Sequence, residues 1–117
     1  MISIKRIYEP AELRDGFRIL VDRLWPRGMT KEKARIDLWL RDIAHRDSLR
    51  KWFNHQLENW DEFKQRYFKE LATKNDMIEI IQKRSEQETV TLLYSAKSET
   101  LNNAVALKEF IERKINP

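Results

Sequence analysis

The chain has 117 residues, a formal net charge of +4, 36% charged side chains and no cysteine. This length suits one domain, spanning residues 1–117, that buries about two-thirds of its unfolded surface. The absence of cysteine excludes disulfides, thiolate metal sites and Cys nucleophiles.

No apolar run approaches the ~18 residues of a membrane helix, and the first ten residues lack the apolar stretch of a signal peptide. The expectation is a cytoplasmic protein with no membrane partner. Charged residues exceed the usual ~25%, yet four Trp, five Phe and three Tyr supply enough burial to oppose disorder. The charge is uneven. Residues 1–58 hold 13 Lys and Arg, nine of them Arg, against 9 Asp and Glu. Residues 59–117 hold 10 of each sign. Arg presents a planar fork suited to carboxylate or phosphate.

In chain order, Ile2–Ile7 alternates and predicts a first strand. Pro10 and Asp15-Gly16 mark a turn. Phe17–Arg23 predicts a second strand, apolar on both faces at its centre. Pro26 and Gly28 end it, and Thr30 caps a short helix to about Arg35. Ile36–Arg41 alternates again and predicts a third strand. Asp47 caps a helix that places Leu49, Trp52 and Phe53 on one face. Asn59 and Glu62 form a capping-box pattern ahead of the stripe Trp60, Phe63, Tyr67 and Leu71. Met77, Ile80 and Ile81 mark a further helix. Thr89–Tyr94 reads as the clearest strand, and Ser98 caps a last helix to about Lys114. This order predicts an α/β fold with a small, largely parallel sheet of three to four strands and an irregular helical insertion between the third and last strands.

Ligands of open α/β sheets bind beyond the carboxyl ends of the strands. Two such ends carry chemistry. One is Asp22-Arg23-Leu24-Trp25-Pro26-Arg27-Gly28. There a stiff turn holds Trp25 between two guanidinium groups, able to stack a ring and clamp an anion. Strand parity puts Arg23 on the face of Phe17, Ile19 and Val21. The other end is Tyr94-Ser95-Ala96-Lys97-Ser98, followed by Asn102 and Asn103. The bland alternative is structural: Trp25 in the core, Arg23 paired with Asp22 or Asp37, and Lys97 solvated. The two ends form one site only if their strands are parallel neighbours. His45 and His55 are the only histidines, and their spacing of ten is no metal pattern. His55 and Asp22 are the candidate proton carriers.

Asp15–Gly28, Lys31–Ala34, Leu38–Ala44, Leu49–His55, Trp60–Tyr67, Leu92–Lys97 and Asn102–Ala104 together resemble the YeaO-like family, a group of small bacterial proteins catalogued as a domain of unknown function. The resemblance covers nearly the whole chain. It implies a compact α/β fold and no established activity. Arg23, Trp25, Arg27, His55, Tyr94, Ser95, Lys97, Asn102 and Asn103 fall on matching positions. The family pattern after His55 usually runs Asp-Pro, whereas this chain has Gln56-Leu57, a departure that speaks against the acidic partner for His55 that the resemblance would imply.

The reading that follows is a binder of a small anionic, ring-containing ligand such as a nucleotide or phosphorylated metabolite. Arg23, Arg27 and Lys97 neutralise it, Trp25 and Tyr94 stack, and Ser95, Asn102 or Asn103 orient it. If chemistry occurs, hydrolysis or group transfer through His55 or Asp22 is the class expected. The rivals are a nucleic-acid binder that uses the Arg-rich first half and a protein-interaction module without catalysis. No cofactor and no metal site is readable.

Overall fold

The computed structural model describes residues 1–54 and 56–115. Four strands, β1 (Ile2–Arg6), β2 (Phe17–Leu20), β3 (Leu38–Trp39) and β4 (Val90–Tyr94), form one sheet in the order β1-β4-β2-β3. Every pairing is parallel, and β4 lies between β1 and β2. The helices are α1 (Lys31–Ala34), α2 (Asp47–Phe53), α3 (Trp60–Leu71), α4 (Asn75–Gln87) and α5 (Asn103–Ile115). This is the expected α/β class, with α2, α3 and α4 inserted between the third and last strands. Among the described residues, no helix is long and apolar enough to cross a membrane.

Alternation along β2 and β4 sorts their side chains into two cores. Ile19, Val21, Val90 and Leu92 join Phe63, Tyr67, Leu71 and Leu107 in the main core. Leu20 and Leu93, one residue out of phase, meet Ile7 and Ala34 on the other face, packed against Trp25 and Trp39. Burial of all five β4 residues explains their nearly uniform apolar character.

Several local expectations are corrected. The second and third strands are shorter than predicted, with the Asp22 and Asp37 carboxylates taking up backbone N–H groups beside their ends. Asp37 Oδ2 accepts from the Arg18 N–H at 2.9 Å before β3 begins. Arg46, not Asp47, is the N-cap of α2. Asp47 sits in the first turn, where it pairs with Arg50 at 2.7 Å and favours the helix dipole. The capping box at Asn59 does not form. A 3-10 turn over Leu57–Asn59 runs straight into α3, so Asn59 is already helical (φ −95°, ψ −3°) and its side-chain amide donates to the Phe53 carbonyl. In α4 the buried residues are Ile78 and Ile81, while Ile80 is 44% exposed. Thr30 does cap α1, its hydroxyl accepting from the Lys33 N–H at 3.2 Å.

A buried charge cluster braces the start of β2. The Arg18 guanidinium pairs with Asp15 and donates to the Ala34 and Arg35 carbonyls that α1 leaves open. Lys5 reaches the same carboxylate at 3.1 Å, and the Glu12 N–H donates to it at 2.9 Å. Burial alone would raise the Asp15 carboxyl. The Glu12 N–H, Lys5 and Arg18 outweigh it and hold the group below its ordinary value of 3.8. A depressed carboxyl stabilises the fold above the unfolded pKa, and that stability is lost as pH falls through the folded value. The urea midpoint is therefore expected to drop as pH falls below about 4, with Asp15→Asn shrinking that acid-dependent component.

Candidate functional site

The corner after β2 is stapled to the far end of β4 by Asp22. One carboxylate oxygen accepts from the Ser95 N–H at 2.8 Å and the other from the Asn103 side-chain amide at 3.0 Å. The same amide donates to the Val21 carbonyl at 3.1 Å, and the Asp22 carbonyl accepts from the Trp39 indole at 2.7 Å. Both oxygens of Asp22 are thus engaged by donors, and Arg23 is not its partner. Arg23 turns to the helix side of the sheet, as strand parity predicts, and donates to the Ala44 carbonyl at 3.0 Å. Its nearest carboxylate, the exposed Asp42, is 3.9 Å away, and its Nε is buried without a partner. Trp25 fixes its indole N–H on the Met29 carbonyl at 2.7 Å and stands edge-on to Trp39. Gly28 has φ +75°, and the Tyr8 hydroxyl donates to the Arg27 carbonyl at 2.8 Å.

After β4, Arg6 Nε donates to the Ser95 and Ala96 carbonyls at 3.3 and 3.0 Å, and its guanidinium lies over the Tyr8 ring. Ser98 does not cap the last helix, which starts at Asn103. Its hydroxyl accepts from the Leu101 N–H at 2.9 Å and closes a turn instead. Asn102 takes the capping role, with Oδ1 accepting from the Val105 N–H at 2.9 Å and the amide donating to the Ser98 carbonyl. This accounts for a poor helix former at that position. Asn103 spends its amide hydrogens on Val21 and Asp22, so its Oδ1 is left as an open acceptor.

Because β2 and β4 are parallel neighbours, both strand ends open into one cavity of about 940 Å³. Asp22, Arg23, Trp25, Arg27, Ser95, Lys97, Asn102 and Asn103 all line it. Tyr94 does not. It is 3% exposed and packs in the main core. His55 lies outside the described residues. The cavity wall carries Arg6, Arg23, Arg27, Arg50 and Lys97 against two carboxylates, Asp22 and Asp47. Arg50 is held by Asp47, whereas Arg6, Arg27 and Lys97 have no acidic partner within 4 Å among the described residues. Phe53 and Phe63 supply apolar wall.

Arg6, Tyr8, His45 and Arg50 were not singled out from sequence. Arg6 had a usable signal, since it is a cation at the end of a predicted strand. His45 also lines the cavity, with its ring edge-on to Phe63 and Tyr67. Among the described residues, no three His, Cys, Asp or Glu side chains gather as a metal site.

Comparison with known proteins places this geometry in a family. A family model described as "Inactive DUF488-N3 subclade" matches residues 1–117. The uncharacterized protein YeaO of Escherichia coli strain K12 is 40% identical over 110 residues, covering 94% of this chain and 96% of that protein. The uncharacterized protein Rv3073c of Mycobacterium tuberculosis H37Rv is 34% identical over 110 residues, covering 94% and 92%. No solved structure matches. With a model matched along its whole length and relatives aligned nearly end to end, the chain belongs to the YeaO-like DUF488 family.

Proposed function

We propose that the protein binds a small anionic, ring-containing ligand, a nucleotide or phosphorylated metabolite, in the cavity at the ends of β2 and β4. The observation that carries this reading is the set of cations Arg6, Arg27 and Lys97, gathered around one opening and, among the described residues, with no acidic partner within 4 Å. Arg23 adds a guanidinium held mainly by a carbonyl, with donor capacity to spare. Burying such groups against an anion gives short, charge-assisted hydrogen bonds. Trp25, pinned through its N–H, offers a ring face for stacking. Ser95 and the free Oδ1 of Asn103 orient the ligand. Asp22 braces the site rather than moving protons, since both its oxygens are occupied. The family description names an inactive subclade, which favours binding without turnover.

Arg27 is exposed, and its side chain makes no bond among the described residues. Arg27→Ala is therefore expected to weaken ligand binding about tenfold, the loss of one charge-assisted hydrogen bond, with stability changed by under about 0.5 kcal/mol. The test is a tryptophan-fluorescence and thermal-shift titration with ADP, pyrophosphate and sugar phosphates at several salt concentrations. A shallow salt dependence fits one small anion. A steep one, with oligonucleotides as the tightest ligands, would point to a polyanion instead. A flat response to every anion removes the proposal.

A further inference from the structure

His45 lies on the cavity wall in the segment between β3 and α2, its ring held edge-on by Phe63 and Tyr67 at centroid distances of 5.1 and 5.5 Å. Its Nδ1 is 3.1 Å from the Arg46 carbonyl oxygen. A carbonyl can only accept, so in the neutral ring Nδ1 carries the proton and Nε2 keeps a lone pair. Nε2 has no partner among the described residues. It is not sealed in either, because the only buried side-chain N or O atom without a partner there is Arg23 Nε.

The charged groups acting on this ring come from three segments. Arg50 of α2 disfavours the imidazolium, whereas Glu70 of α3 and Asp22 after β2 favour it, as does the Arg46 carbonyl. Burial is the largest influence and holds the ring below its ordinary value of 6.5, so it is neutral at physiological pH. The result is a fixed neutral acceptor in a cavity whose charged wall consists mostly of donors. Guanidinium and ammonium groups recognise anionic oxygens but cannot recognise a hydroxyl hydrogen. A ligand that satisfies both kinds of group carries an anion and a hydroxyl.

We propose that Nε2 of His45 accepts a hydrogen bond from a ligand hydroxyl, so that the cavity selects sugar phosphates over anions that lack hydroxyls. This inference rests on the anion-binding reading above, and it adds a recognition element that the cations cannot supply. An analogue without the matching group leaves that acceptor unpaired in the occupied cavity, which lowers its affinity.

Calorimetric titration of the full chain with ribose 5-phosphate and with methyl phosphate tests it. Both carry a phosphate monoester, and only the first carries hydroxyls. The wild type is expected to bind ribose 5-phosphate about tenfold more tightly at neutral pH. His45→Phe keeps a ring against Phe63 and Tyr67 but has no acceptor, and the ratio falls to about one. A second measurement needs no variant. In the wild type the ratio also falls toward one as pH drops below 6.5 through the lowered value of the ring, because a protonated Nε2 can only donate. A wild-type ratio near one overturns the assignment, and so does a ratio that survives both His45→Phe and acid pH. Either result leaves the anion site standing. Failure of both probes to bind removes the anion reading and this assignment with it.

Discussion

Gly16→Ala is expected to destabilise the protein by about 4 kcal/mol, combining backbone strain with a steric clash. Gly16 has φ +65° and ψ −129°, where an L side chain is strained. It also stands against the strand beside it. A methyl group there would fall on the Thr89 carbonyl oxygen and within 2.9 Å of its carbon. That carbonyl cannot step aside, because it accepts from the Phe17 N–H at 2.9 Å and is part of the start of the β2–β4 pairing. The Asp15 carbonyl, one residue earlier, accepts from Thr91 Oγ1 at 2.6 Å and tightens the same junction. Making room means moving β2 away from β4, which also pulls apart the two strand ends that bound the cavity. Gly28 provides the control. Its φ is +75°, but nothing lies within 4 Å of a Cβ built on it, so Gly28→Ala is expected to cost only the conformational strain, about 1 kcal/mol. Urea denaturation of the two variants measures the difference. Equal losses would mean that the Thr89 strand yields, and that Gly16 is needed only for its backbone angles.

Residues whose environment follows from local periodicity were legible. The apolar run Thr89–Tyr94 forms the buried central strand, and parity along β2 carries Arg23 to the same side as Ile19 and Val21. Local patterns misled where a neighbouring element took over. Asn59 has the chemistry of a cap, but the preceding 3-10 turn denies it the extended backbone a cap requires. Ser98 has it as well, yet Asn102 is the residue that sits one position before the helix. Tyr94 ends a strand whose following residues line the cavity, yet its own burial in the main core keeps it out of the lining, which position at a strand end does not reveal. The part of the cavity that was not legible depends on strand order. Arg6 reaches the site only because β4 inserts between β1 and β2, so that the ends of β1 and β4 lie side by side. Nothing within six residues of Arg6 encodes that insertion. The spacing of His45 and His55 is no metal pattern and says nothing of His45's place on the cavity wall. That place depends on how the segment after β3 folds back over α3, a tertiary matter invisible to spacing.

Asp22→Ala is expected to remove both stability and ligand binding, because this carboxylate ties the corner after β2 to the far end of β4 and to the last helix at once. It accepts from the Ser95 N–H and from the Asn103 amide, each a charge-assisted bond of about 1.5–3 kcal/mol. With the carboxylate gone, the Ser95 N–H loses its side-chain acceptor. Asn103 keeps only the Val21 carbonyl and is free to rotate its Oδ1 out of the cavity. The expected loss of stability is about 3 kcal/mol, the low end of the sum of the two bonds because water reaches the partly exposed corner. Asp22→Asn separates bracing from acid–base chemistry. An asparagine keeps one acceptor oxygen but turns an NH2 group toward a donor, so it should recover about half of the lost stability and part of the affinity for the anions that bind the wild type. A proton carrier would show a different pattern, in which the asparagine variant binds as the wild type does and fails only in turnover. Stability by urea denaturation and affinity by fluorescence titration, measured on the same two variants, distinguish these outcomes. If the alanine variant retains both properties, Asp22 is not the staple that the geometry indicates, and convergence of the two strand ends must then rest on the β2–β4 ladder alone.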